Sequence, residues 1–273
     1  MTRKVTTLDQ AIDLLPDEGF TLAFGGVTMY RRPMAFSLGM INRFRERGAP
    51  SGITLICFTA GLESDLLVGE EMVDRVRTCY FGLEAFGLAP HFTAKAGNDE
   101  IEIVEESEAS LASGLRAKLA GLGFMPSQAW LGTDMPELRP DVKTVRDPYT
   151  GAELIAFPAI DIDVAVIHAL QADEDGNALI GGNKGVDVEL ALTAGTVIIT
   201  AEKILPALNK ADIVSPVVDA VVPALSGAWP TSCHPDYPLD GLAVLAYLEA
   251  VGTAQYSQLV EAWLRRHGIK PDS

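Results

Sequence analysis

Positive charge is scarce in this chain of 273 residues, with 21 Lys and Arg against 37 Asp and Glu and a formal net charge of −16. So acidic a surface argues against nucleic acid or an anionic membrane as partner. Cysteine is scarcer still. Cys57, Cys79 and Cys233 are odd in number and form no CxxC pair, which argues against a disulfide framework or a zinc site and leaves core thiols. No metal is expected. No apolar run is long enough to cross a bilayer, and the opening Met1–Asp9 lacks the apolar core of a signal peptide, so a cytoplasmic location is expected. Neither Gly-x-Gly-x-x-Gly nor Gly-x-x-x-x-Gly-Lys-Ser/Thr occurs, so neither a Rossmann nor a P-loop nucleotide site is supported.

What is present is aliphatic. Hydrophobic residues make up 48% of the chain and aromatics only 7%, a mixture suited to parallel strands buried on both faces. Residues 7–15 read as a short amphipathic helix capped by Thr7. A strand at 20–24 runs into Gly25-Gly26, and Pro33 opens a helix reaching Arg47. Further strands are expected at 53–58, 76–81, 101–104, 163–168, 196–200 and 217–222, with helices over 109–120 and within 239–266. Strand, glycine-bearing turn and helix recur in that order, which predicts an α/β fold with an open, mostly parallel sheet flanked by helices. One domain over 1–273 is expected, with a loop-rich excursion around 133–160 where proline and charge concentrate. Ligands of such sheets bind at the carboxyl ends of the strands.

Four segments carry candidate chemistry. Gly25-Gly26 could aim backbone N–H groups at an anion, with Arg31 and Arg32 adding charge; a tight turn with two solvated arginines reads equally from the sequence. Glu105 follows an apolar strand, where a base or nucleophile would stand, yet it lies among Glu102, Glu106 and Glu108, as in a solvated helix start. Gly181, Gly182 and Asn183 with Lys184 could supply backbone donors and one cation near a ligand, though a glycine-rich loop without function reads equally. His168 at a strand end reads first as a structural histidine. Ser232, Cys233 and His234 adjoin, but without a nucleophile elbow or third member they do not make a hydrolase.

In shared order these segments resemble the α subunit of family I coenzyme A transferases, particularly the glutaconate CoA-transferase type. The resemblance runs from Gly25-Gly26 and Arg31-Arg32-Pro33 through Glu105, Ser107 and Gly121–Pro126 to Asp163–His168, Gly176-Asn177, Gly227-Ala228 and Pro230–Cys233. It implies a homologous, separately encoded β subunit in an α2β2 or larger heteromer. It also implies a coenzyme A thioester as substrate and no tightly bound cofactor. In such transferases a β-half glutamate attacks the acyl-CoA carbonyl, passing through an anhydride and a glutamyl-CoA thioester before a carboxylate acceptor takes the coenzyme A. The segment carrying that glutamate is missing here, so the chain alone is expected to be inactive. Arg31 stands where the general family signature has glycine, as in the glutaconate type, where it would meet a dicarboxylic substrate. Ser107 is taken with the substrate- or CoA-binding set.

The chain also resembles the heteromeric CoA-thioester hydrolase that opens the last steroid rings in cholesterol breakdown. There the catalytic carboxylate lies on the α subunit, and the resemblance places Glu105 on it. The expected function is therefore CoA transfer between an acyl-CoA and a dicarboxylic or oxo acid. The alternative is a thioester hydrolase or ring-opening enzyme using Glu105, and a non-catalytic ligand-sensing domain is the remote third.

Overall fold

In a computed structural model, residues 3–270 of the chain are described. The main sheet is built from β1 (Thr21–Phe24), β2 (Ile53–Cys57), β3 (Val73–Thr78) and β4 (Glu102–Glu105) on one side. A small antiparallel sheet interrupts the chain: β5 (Phe124–Ser127), β6 (Lys143–Arg146) and β7 (Glu153–Pro158), in the order β5-β7-β6. The main sheet then resumes with β8 (Ile162–Asp173), the two-residue β9 (Ala178–Leu179), β10 (Ala194–Leu205) and β11 (Ala220–Pro223). Its order is β11-β10-β8-β1-β2-β3-β4, parallel throughout, with β9 alone antiparallel against β8.

Helices cover both faces, and strand alternation decides which side chains each face receives. Leu22, Phe24, Leu55, Cys57 and Val166 pack under α1 (Leu8–Ile12), α2 (Met34–Arg47) and α3 (Leu62–Gly69). After α4 (Pro90–Gly97) the chain crosses to the other face. There Ala23, Ile56, Ala165, Ile167 and Ile199 meet α5 (Glu108–Leu119) and, beyond the single turn α6 (Met135–Leu138), α7 (Asp187–Thr193). The chain closes on the first face with α8 (Gly241–Ala250) and α9 (Gln255–Arg266).

Local chemistry fixes several boundaries. Thr7 caps α1 in a reciprocal box with Gln10, but the helix stops at Ile12, short of the expected Leu15. Pro33 precedes α2, and Gly48, at φ +71, ends it. The third strand lies three residues earlier than 76–81: the Thr78 hydroxyl donates to the carbonyls of Cys57 (2.8 Å) and Tyr80 (2.7 Å), turning the chain there. The terminal helical segment is two helices, parted at Gly252 with φ +75. No helix among the described residues is long and apolar enough to cross a membrane.

Candidate active site at the strand carboxyl ends

The chain lays β1 to β4 outward in one direction and then returns to the other side of β1 with β8. The topological switch point therefore lies between β1 and β8, where the crevice of an open parallel sheet forms. Gly25 continues the ladder there, its N–H donating to Val166 O at 2.9 Å. Gly26 turns the chain at φ +87, and a Cβ on it would sit 2.6 Å from the Tyr30 carbonyl oxygen, so only glycine fits. Its N–H donates to Asp187 Oδ1 (2.9 Å), and its carbonyl accepts from Arg32 Nη1 (3.1 Å). Both glycine amides are thus committed within the protein, and the expectation that Gly25 and Gly26 offer N–H groups to a ligand does not match this geometry.

The two arginines turn inward as well. Arg31, held at φ +53, is fully buried and donates to His168 O, Asn183 O and Asp187 Oδ2, each at 2.8 Å. Arg32, equally buried, pairs with Glu63, which also accepts from the Ser64 hydroxyl at 2.5 Å. Neither guanidinium reaches a solvent-borne carboxylate. A charge buried this deeply is retained only when paired, and Asp187 and Glu63 meet that need. Asp187 and Glu63 received no role in the sequence reading, since each shares its helix's first turn with a second acid and gains meaning only beside its arginine.

The Gly181–Gly185 loop lies over this turn. Gly181 donates to Asp212 Oδ2 at 3.2 Å, and the Lys184 ammonium meets Asp212 Oδ1 at 2.5 Å. Gly185, at φ +52, passes so close to Val27 that a Cβ would lie 2.9 Å from its Cγ2. The N–H groups of Gly182, Asn183, Lys184 and Gly185 have no acceptor among the described residues. Two segments distant in sequence thus converge: the turn from Gly25-Gly26 to Arg31 and the Gly181–Asn183 loop.

Beneath them, His168 Nδ1 meets Thr200 Oγ1 and Nε2 meets Glu202 Oε1, both at 2.8 Å. Glu202 also accepts from Ser226 N (2.7 Å), Gly227 N (3.1 Å) and the Tyr237 hydroxyl (2.5 Å). Burial holds the His168 imidazole below its ordinary pKa. Burial alone would raise the Glu202 carboxyl, but the hydrogen bonds from His168 and Tyr237 prevail and hold it low. Cys233 Sγ approaches the same pair within 4.8 Å. With both imidazole nitrogens already bonded, the group acts as a strut under the Arg31 site.

Glu105 stands apart. Ala23, Ile56, Arg77 and Val104 share one row across β1 to β4, so Glu105, in the next row, is level with Phe24 and three strands away, roughly 14 Å at ordinary strand spacing. It ends the sheet's edge strand, exposed, and its carboxylate has no partner among the described residues. Its neighbour Glu106 is buried between Arg77 (2.7 Å) and Arg139 (2.8 Å), and Arg139 also holds the Glu105 carbonyl at 2.8 Å. Ser107 caps α5 and accepts from Trp130 Nε1 at 2.8 Å, a structural employment for a residue expected at the ligand. The sequence-predicted set therefore divides into a switch-point group and an edge group.

The chain matches the coenzyme A transferase family over residues 5–223 and belongs to it. It is 33% identical over 241 residues to the A-type subunit of the 3-oxoadipate CoA-transferase of Pseudomonas knackmussii, covering 86% of this chain and 82% of that protein. It is 30% identical over 284 residues to the cholesterol ring-cleaving hydrolase IpdA subunit of Mycobacterium tuberculosis, covering 97% and 94%. Among solved structures, glutaconate coenzyme A-transferase from Acidaminococcus fermentans superposes with a TM-score of 0.83 at 28% identity, over 96% of this chain and 88% of that one. A variant of the decarboxylase AibA/AibB superposes at 0.87 and 29% identity, over 97% and 100%. The α/β architecture expected from the sequence is the architecture of these enzymes.

Proposed function

We propose that this chain is the α-type subunit of a heteromeric enzyme that moves coenzyme A between an acyl-CoA thioester and a dicarboxylic or oxo acid. The observation that carries the reading is similarity along most of the chain to the α-type halves of CoA-transferases, at a matching length. The thioester is a substrate, and a homologous β subunit in an α2β2 or larger heteromer supplies the nucleophilic carboxylate. In this reading the Gly182–Gly185 loop offers backbone donors above the switch-point crevice. The buried arginines shape that crevice from below rather than gripping the acid directly.

A second reading, thioester hydrolysis or ring opening, draws on one specific observation: Glu105 is exposed at a strand carboxyl end, without a partner among the described residues, in a chain similar over nearly its whole length to a ring-cleaving hydrolase subunit. An unpaired carboxylate there is free to activate water. The test is the chain co-expressed with a homologous β subunit, then incubated with acyl-CoA esters, with and without a carboxylate acceptor. New acyl-CoA that forms only with acceptor, and survives Glu105→Ala, supports the transferase. Free coenzyme A released without acceptor, and lost in Glu105→Ala, supports the hydrolase. Carbon dioxide release would displace both readings.

A further inference from the structure

Arg31 is fully buried, yet it contacts the exposed glycine loop at the topological switch point. Its Nη2 donates both to Asp187 Oδ2 and to the Asn183 carbonyl, each at 2.8 Å. Asp187 in turn holds the Gly26 N–H with its other oxygen, at 2.9 Å. One guanidinium and one carboxylate, both fully buried, therefore join the β1 turn, the glycine loop and the start of α7. The peptide plane carries the consequence outward. In a trans peptide the carbonyl of one residue and the N–H of the next point in opposite directions. Drawing the Asn183 carbonyl down onto Arg31 thus turns the Lys184 N–H away from the core. That amide has no acceptor among the described residues, and the loop around it is exposed.

We propose that Arg31 is a positioning residue: by holding the Asn183 carbonyl inward it fixes the Lys184 backbone N–H as a donor to the anionic oxygen that develops on the reacting thioester carbonyl. The inference rests on the acyl-CoA reading of this crevice. It makes Arg31, held by Asp187, a lever on the turnover step and not a binder of substrate carboxylate. A donor fixed before the reaction needs no reorganisation as charge develops, which is where preorganised amides gain their effect.

The test is made on the co-expressed complex with an acyl-CoA ester it turns over. Replacing Lys184 by its α-hydroxy analogue exchanges the single N–H for an ester oxygen and leaves every side chain in place. The expected result is a fall in kcat on the order of 10²-fold with KM moved only a few-fold, as for loss of one oxyanion donor. Arg31→Lys keeps the charge beside Asp187 but not the planar fork, and it should reproduce the same split in complex that still assembles. An unchanged kcat in the ester-bearing complex would overturn the proposal, and so would an effect confined to KM, which would make the amide a ground-state contact. Failure of the unmodified complex to turn over any ester would instead sink the acyl-CoA reading itself.

Discussion

At the scale of single residues, adjacent arginines have opposite partners: Arg31 turns to Asp187 across 156 positions, Arg32 to Glu63 across 31. Both pairs are inaccessible to water, so removing one member leaves the other charged and unpaired. Asp187→Ala is accordingly expected to lower unfolding free energy by about 3–5 kcal/mol, read from the denaturant midpoint. Arg265→Ala, which breaks an exposed pair with Glu261, is expected to cost under about 1 kcal/mol. Similar losses from the two variants would contradict the pairing described. No feature of the sequence separates these arginines from solvated ones, because the acids that bury them lie on other elements. The glycines were legible as a special turn, but not the direction of their amides.

At the scale of elements, much of the sheet could be read directly. Apolar runs such as Leu22–Phe24 and Val164–Ile167 have no polar alternation to confuse them, and their strands begin within a residue of the expected start. But β8 runs on to Asp173 and leaves His168 in mid-strand rather than at a strand end. Elsewhere the reading shifts or fails. Asp74 and Arg75 break the apolar pattern of β3, while β6 and β7 of the small sheet lie where proline and charge suggested only a loop. Short strands that alternate weakly give no periodicity to detect. At the start of α5, Ser107 closes a capping box with Ser110 and accepts the indole N–H of Trp130. Ser107→Ala is thus expected to destabilise the chain by about 1–2 kcal/mol and to shift the tryptophan emission of the folded protein. An unmoved denaturation midpoint would argue against this capping role.

At the scale of the whole molecule, buried titrating groups set the response to acid. Burial pushes the His267 imidazole down to about 4, and its hydrogen bond with the Trp229 carbonyl, which favours the charged form, does not offset that. An unfolded histidine takes up its proton near 6.5. Below that value the unfolded chain binds a proton that the native state refuses, so stability is full above about 6.5 and falls as pH drops toward 4. Asp65 acts with the opposite sign. Burial lifts its carboxyl to about 6, against hydrogen bonds from Tyr247 and the Phe92 amide. Its native state therefore binds the extra proton between about 4 and 6, adding stability on acidification. His267→Gln should flatten the pH dependence of the denaturant midpoint between 7 and about 4, and Asp65→Asn should steepen it. Equal slopes in all three proteins would exclude both assignments.

The link between Gly26 and Asp187 has a bearing on how the chain is made. The glycine leaves the ribosome 161 residues before the carboxylate that receives its amide, and Arg31 precedes its own acceptor at His168 by 137. Through most of synthesis the amino-terminal half carries a cation destined for burial with nothing to bury it against. Contacts of such long range form late and slowly. The crevice should therefore be among the last parts of this protein to close, after α7 has emerged, and a nascent chain halted before Asp187 would expose that unfinished surface to chaperones rather than present it to a partner.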